Sequence, residues 1–257
     1  MYVTREHDRL DKLTLPFLPM KQSLRLELLK AELYHLLIKA EEVKKEEAKE
    51  GEVIQKKTPP EPLPTVEELT GPWSIEELER RAKELPMEDK PIEEVLDEYG
   101  LEALENTRRK LKDKVSLSDW GKKLNEITRD AHLSALKQGK KGKITPPDLA
   151  KLSLSGLDIH TPAVTDFATK FPILTPAQIL ARTNLYGENA KATYHQGIHS
   201  WHQENGYTQA KRELGVNDRH CPDCVAMESD WTSIENITPP GNDCRCGGRC
   251  HCVIYYR

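Results

Sequence analysis

All six cysteines of this 257-residue chain fall within its last 37 residues. They run Cys221-x2-Cys224 and then, after a gap of 19 residues, Cys244-x-Cys246-x3-Cys250-x-Cys252. A Cys-x2-Cys knuckle lets two thiolates reach one ion, and a second cysteine pair brought close by folding completes a tetrahedral site. This spacing predicts a small C-terminal unit stapled by a metal, with zinc as the default ion and four of the six cysteines as ligands. The spacing alone does not say which of the tail cysteines ligate. The tail Cys-Arg-Cys-Gly-Gly-Arg-Cys-His-Cys also reads as a β-hairpin with Gly247-Gly248-Arg249 as its loop. In that register Cys246 faces Cys250 and Cys244 faces Cys252, all on one side of the ribbon.

The alternative use of six clustered cysteines is a set of three disulfides, which belongs to secreted proteins. Charges among residues 1–10 stand where a signal peptide would be apolar, and no apolar run approaches the ~20 residues of a membrane span, so a soluble, unsecreted chain is expected. A closed all-cysteine site has no open position for chemistry, and its expected role is structural. His195, His199 and His202 share one side of a predicted helix but are read as an ordinary polar or part-buried face. His202-x-Glu204 with Cys221 and Cys224 only loosely matches a zinc deaminase, because the order of motif and helix start is wrong and no βαβ pattern surrounds it. No nucleophile elbow, P-loop or His-Glu-x2-His motif is present.

Charge is distributed in blocks. The net charge is −4, but residues 40–105 hold 21 acidic against nine basic residues, and residues 106–151 hold 13 basic against five acidic. Arg108, Arg109 and Lys110, then Lys137, Lys140, Lys141 and Lys143, are the candidate phosphate-contacting residues of that second block. A solvated helix face followed by a loop explains the same residues without a ligand.

With 37% apolar residues and 17 prolines, the chain is expected to be mainly α-helical, with long helices, proline-rich linkers and one small β module (α+β overall). Five regions are expected: an amphipathic helical arm (1–57), a proline-rich linker (58–72), a helical region with the basic stretch (73–144), an irregular linker (145–174) and a C-terminal module (175–257). Ser74 with Glu77 has capping-box spacing and starts a helix to about Leu85. Further helices are predicted over 92–114 and 118–137, the latter with Trp120, Leu124, Ile127, Ala131 and Leu136 on one side. Thr175-Pro176 opens a long helix to about Glu204, and Val253–Tyr256 has the composition of a strand.

The order of elements in the C-terminal third resembles the phage Mu F-like head morphogenesis (minor capsid protein) family. The matching residues are Ala181-Arg182-Thr183 in a helix, a short strand at Leu214–Asn217, the segment Asp218-Arg219-His220-Cys221-Pro222-Asp223-Cys224, Pro239-Pro240 and a terminal Cys244-Arg245-Cys246. Where the family has a histidine three positions before that Cys-Arg-Cys, this chain has Gly241, and Cys250-His251-Cys252 stands as its replacement. The resemblance implies a non-enzymatic virion component in the capsid interior or at the portal vertex. Its implied partners are the portal protein, the major capsid or scaffolding protein and packaged DNA, with no membrane. The competing expectation is a zinc-ribbon protein that binds nucleic acid through residues 106–151.

Overall fold

A computed structural model describes residues 62–112, 114–216 and 220–257, with five helical positions farther upstream (Leu28, Ala31, Tyr34, His35 and Ile38). The N-terminal arm otherwise lies outside the described residues, as do residues 58–61 of the proline-rich linker. The described chain is mainly helical, with a small sheet near its C-terminal end.

Helices begin where local chemistry starts them. Thr65 caps α1 (Val66–Thr70) in a full capping box with Glu68. Ser74 caps α2 (Ile75–Glu84) by accepting from the Glu77 N–H, while the Glu77 carboxylate turns away to Arg80 and Arg129. The expected linker over 58–72 therefore ends early. Leu69 and Trp73 are fully buried, because α1 and the following 3-10 turn (Gly71–Trp73) lay them on the core.

α3 (Ile92–Leu111) and α4 (Leu117–Gly139) are joined by a short connection. The sequence predicts one apolar side for α4, but its buried positions run right round it, including Asn125, Arg129, Asp130 and His132. A helix buried on every side is the axis of a bundle, and its buried polar groups need partners. The Asn125 carbonyl oxygen accepts from Trp73 Nε1 at 3.0 Å, and its amide donates to the Leu69 carbonyl. Arg129 and Arg81 flank Asp130 at 2.8 Å each. His132 Nδ1 meets Thr193 Oγ1 at 2.7 Å.

The segment 145–174 corrects the expectation of an irregular linker. It forms α5 (Pro146–Ser155), a π-helical stretch (Gly156–His160) and α6 (Thr161–Lys170). Pro146 and Pro147 sit in the first turn of α5, where a missing N–H removes no hydrogen bond, Pro162 lies where the π-helical stretch passes into α6, and Pro172 lies in a 3-10 turn (Phe171–Ile173). Val164, Phe167 and Ala168 are fully buried against Trp120 and Leu124.

The predicted helix over 175–204 is divided at Asn189 into α7 (Pro176–Glu188) and α8 (Ala190–Glu204). Thr175 caps α7 in a box with Gln178. α8 crosses α4 closely where glycine meets glycine. A Cβ on Gly139 would stand 2.4 Å from the Tyr194 carbonyl oxygen, and one on Gly197 would stand 3.0 Å from that of Leu136.

The sheet is antiparallel in the order β2-β1-β3, from β1 (Gln209–Glu213), β2 (Thr232–Ser233) and β3 (Val253–Tyr256). Ala210 pairs with both Thr232 and Tyr256. The strand at Val253–Tyr256 thus forms as predicted. The expected tail hairpin does not: the tail cysteines lie in loops around a 3-10 turn (Gly247–Arg249), and β3 pairs with a strand some forty residues earlier. The strand expected at Leu214–Asn217 likewise lies upstream, at Gln209–Glu213. No helix among the described residues is long and apolar enough to cross a membrane.

Candidate metal centre

The cysteines reach one place by three routes. Cys221 caps the short helix α9 (Pro222–Ala226), and its Sγ accepts from the Cys224 backbone N–H at 3.4 Å. That turn is the knuckle, and it brings Cys221 and Cys224 onto one side. Asp223 then fastens the second cysteine segment to the first: its Oδ2 accepts from the Arg245 backbone N–H at 2.9 Å and lies 3.3 Å from Arg245 Nε. The 3-10 turn at Gly247–Arg249 carries the chain from Cys246 to Cys250, and Cys252 stands immediately before β3.

All six cysteines belong to one cluster, in which Cys224, Cys250 and Cys252 are buried and Leu214 packs alongside. Two groups of sulfurs lie mutually within 4.8 Å, one of Cys221, Cys224 and Cys246, the other of Cys224, Cys244 and Cys250. Within them Cys224 Sγ stands 3.8 Å from Cys246 Sγ and 3.6 Å from Cys250 Sγ. Soft thiolates at this spacing form a site able to hold a metal ion.

The electrostatics are divided across the cluster. Burial pushes the Cys224 thiol well above its ordinary value, whereas the Cys224 backbone N–H holds Cys221 down to about 7. The neighbouring Cys221 sulfur, with burial, raises Cys246. Ligation would reverse these penalties, since a bound cation stabilises each thiolate directly.

Sequence reasoning missed Arg212. In Gln-Ala-Lys-Arg-Glu it looks like a surface strand residue, yet it is only 1% exposed. β1 aims its guanidinium beneath the cluster, 3.7 Å from Cys224 Sγ and 3.8 Å from Cys250 Sγ, while Nη1 donates to the Thr238 carbonyl at 2.6 Å. Burial opposes its charge, but a hydrogen bond with the Cys252 sulfur, with the electrostatic pull of Cys252, Cys250 and Cys224, outweighs this and raises its pKa. The strand alternation Ala210, Arg212 on the inward face was the available signal, because both positions are buried.

The module is seated on the helical core. Gly248 packs so closely at the junction of α7 and α8 that a Cβ would stand 2.1 Å from the Glu188 carbonyl oxygen. Asn242 Nδ2 donates to the Ala192 carbonyl at 3.4 Å. At the other end His202 stacks on Tyr256, with ring centroids 3.8 Å apart, and His199 Nδ1 meets the Tyr256 hydroxyl at 3.3 Å. The histidine face of α8 thus packs against the sheet, and none of its histidines belongs to the metal-ligand groups found among the described residues. Glu204 forms an ion pair with Lys140 instead of joining the cysteines.

The basic candidates are dispersed. α4 is 23 residues long, about 35 Å, and antiparallel neighbours put Arg108, Arg109 and Lys110 near its start and Lys137 to Lys143 at its end. Arg108 pairs with Glu105 at 3.1 Å, and Lys110 is half-buried while Arg109 is exposed. Lys137 donates to the Ala82 and Leu85 carbonyls at the end of α2. Lys140 is fully buried between Asp148, at 3.0 Å, and Glu204. Burial disfavours its charge, but those two carboxylates outweigh it and raise its pKa. Lys141 lies over the Trp201 ring at 3.6 Å, and Lys143 is exposed. The expectation of one phosphate-contacting surface is therefore corrected at Lys137 and Lys140, which serve packing.

Comparison with protein-family models, curated proteins and solved structures finds no match to this chain.

Proposed function

We propose that this chain is a phage minor capsid or head morphogenesis protein, a structural component of the virion rather than an enzyme. The observation that carries the reading is the assembly of the Cys221–Cys224 knuckle with Cys244-Arg245-Cys246 and the added Cys250 and Cys252 into one cluster. The knuckle and the Cys-Arg-Cys are two of the motifs on which the family resemblance rests, and Cys250 and Cys252 stand in for the ligand that Gly241 replaces. In this reading the cluster binds zinc, which cysteine sulfurs at 3.6 to 3.8 Å suit, and the ion holds the module's shape. The module and the core's outer faces engage the portal protein and the major capsid or scaffolding protein in the head interior, with packaged DNA as a further contact. The zinc-ribbon nucleic-acid reading is weaker, because two of its seven basic residues turn inward.

Quantitative mass spectrometry of gradient-purified particles from the source strain tests this. A few to about a dozen copies per particle, scaled against portal and major capsid protein, is the expected result for a portal-associated component with cyclic symmetry. Absence from particles and assembly intermediates alike overturns it.

A further inference from the structure

We infer that the cysteine cluster holds two zinc ions, not one, with Cys224 as a bridging thiolate. The inference rests on the zinc reading above and deepens it.

Sulfurs about 2.3 Å from a tetrahedral ion are separated by about 3.8 Å along each edge. Cys224 Sγ has two neighbours near that length, Cys246 at 3.8 Å and Cys250 at 3.6 Å. These neighbours belong to different groups: one contains Cys221 and Cys246, the other Cys244 and Cys250, and Cys224 is in both. One ion served by four of the six would leave two thiols idle in the same cluster, with no role for the second group.

The ligand count agrees. Two separate tetrahedra need eight thiolates, two sharing a corner need seven, and two sharing an edge need six, the number present. The five cysteines of the two groups are joined in the cluster by buried Cys252, and edge sharing requires a second bridge besides Cys224. Two divalent ions and six thiolates carry a net charge of −2. Arg212, buried and within 3.8 Å of Cys224 and Cys250, offsets half of it. A cation buried at that point is costly unless an anionic cluster faces it.

The test uses the full chain purified under reducing conditions and reconstituted with zinc(II). Metal content is measured by inductively coupled plasma mass spectrometry beside native alkylation of free thiols. The expected result is two zinc ions per chain and no reactive cysteine. One ion with two alkylated cysteines overturns the two-ion inference and leaves the zinc reading standing. No bound metal with full alkylation overturns both. Cys224→Ser removes a vertex from both tetrahedra and lowers the content from two ions to none, whereas Cys221→Ser leaves one. Cadmium-113 exchange supplies a readout independent of mutant folding: scalar coupling between the two cadmium resonances is expected from a shared sulfur. Two uncoupled resonances overturn the bridge.

Discussion

The helical region over 66–204 and the module over 209–257 solve the problem of an interior in different ways. The first buries tryptophan, phenylalanine and leucine from many helices around α4. Among its described residues, the second has Ala210, Ile234 and Ile237 as a buried apolar nucleus beside its sulfur cluster. Apolar burial yields about 25 cal/mol per Å² wherever suitable surface exists, so the core is stabilised by many replaceable contacts. The module has little such surface beside a cysteine cluster able to hold a metal ion, and on the zinc reading proposed above it depends on ligands that must all be present together. Redundancy in one region and all-or-none dependence in the other is the lesson, and it has measurable consequences.

On the zinc reading proposed above, the largest expected effect is that of removing the metal. Structural zinc contributes on the order of 10 kcal/mol in small domains, so a chelator at neutral pH should abolish amide-exchange protection in β1 and β3. Protection in α3 and α4 should persist. Loss of both in a single transition would show that the core needs the module and would break the comparison.

Next is Trp120→Ala. Trp120 is fully buried against Phe167 and Phe171, with ring centroids 5.0 and 4.8 Å away. The cost expected is about 3 to 5 kcal/mol in core stability by denaturant unfolding, with metal content unchanged.

The core should also be acid-sensitive on its own account. Burial lowers His160 to about 4, burial and then the nearby His160 ring hold His132 well below the ordinary histidine value, and the two ring centroids lie 4.1 Å apart. In the unfolded chain these groups take up protons below about pH 6.5, while His160 in the folded chain does not until about pH 4. Stability contributed by neutral burial is therefore full above pH 6.5 and falls as pH drops toward 4, by about 3 kcal/mol for His160 alone. Denaturant titrations of chelated protein isolate this from thiolate protonation, and His160→Leu should flatten the slope.

The smallest effect is local. Thr175→Ala removes the α7 cap and should cost about 1 kcal/mol. A larger loss, with the metal released, would mean that α7 couples the two regions more tightly than the Gly248 contact requires.

Legibility in the sequence followed the range of the forces involved. The starts at Ser74 and Thr175 were readable because a cap acts across three residues. The same reasoning failed over 145–174, where proline and serine content signalled irregular chain although Pro146, Pro147 and Pro162 fall in helix first turns. The cysteine cluster was legible as a staple, but its hairpin was not. Alternation within the tail suggested local pairing, whereas β3 finds β1, a partner that no local pattern names. Lys140 and Arg212 were illegible for a related reason: a charged residue reads as exposed until the carboxylates or sulfurs that surround it are known.

By itself, then, the amino-acid order determined a mainly helical chain, the helix starts near Ser74, Ile92, Leu117 and Thr175, and the confinement of every cysteine to one end. Those properties depend on composition, on capping and on periodicities of a few residues. Tertiary structure alone decided that the proline-rich segment enters the core, that the basic stretch is divided between the two ends of α4, and that Cys224 stands between two groups of sulfurs above a buried arginine. Each of these depends on groups far apart in the chain, whose meeting is set by which burials and pairings the whole fold can satisfy at once.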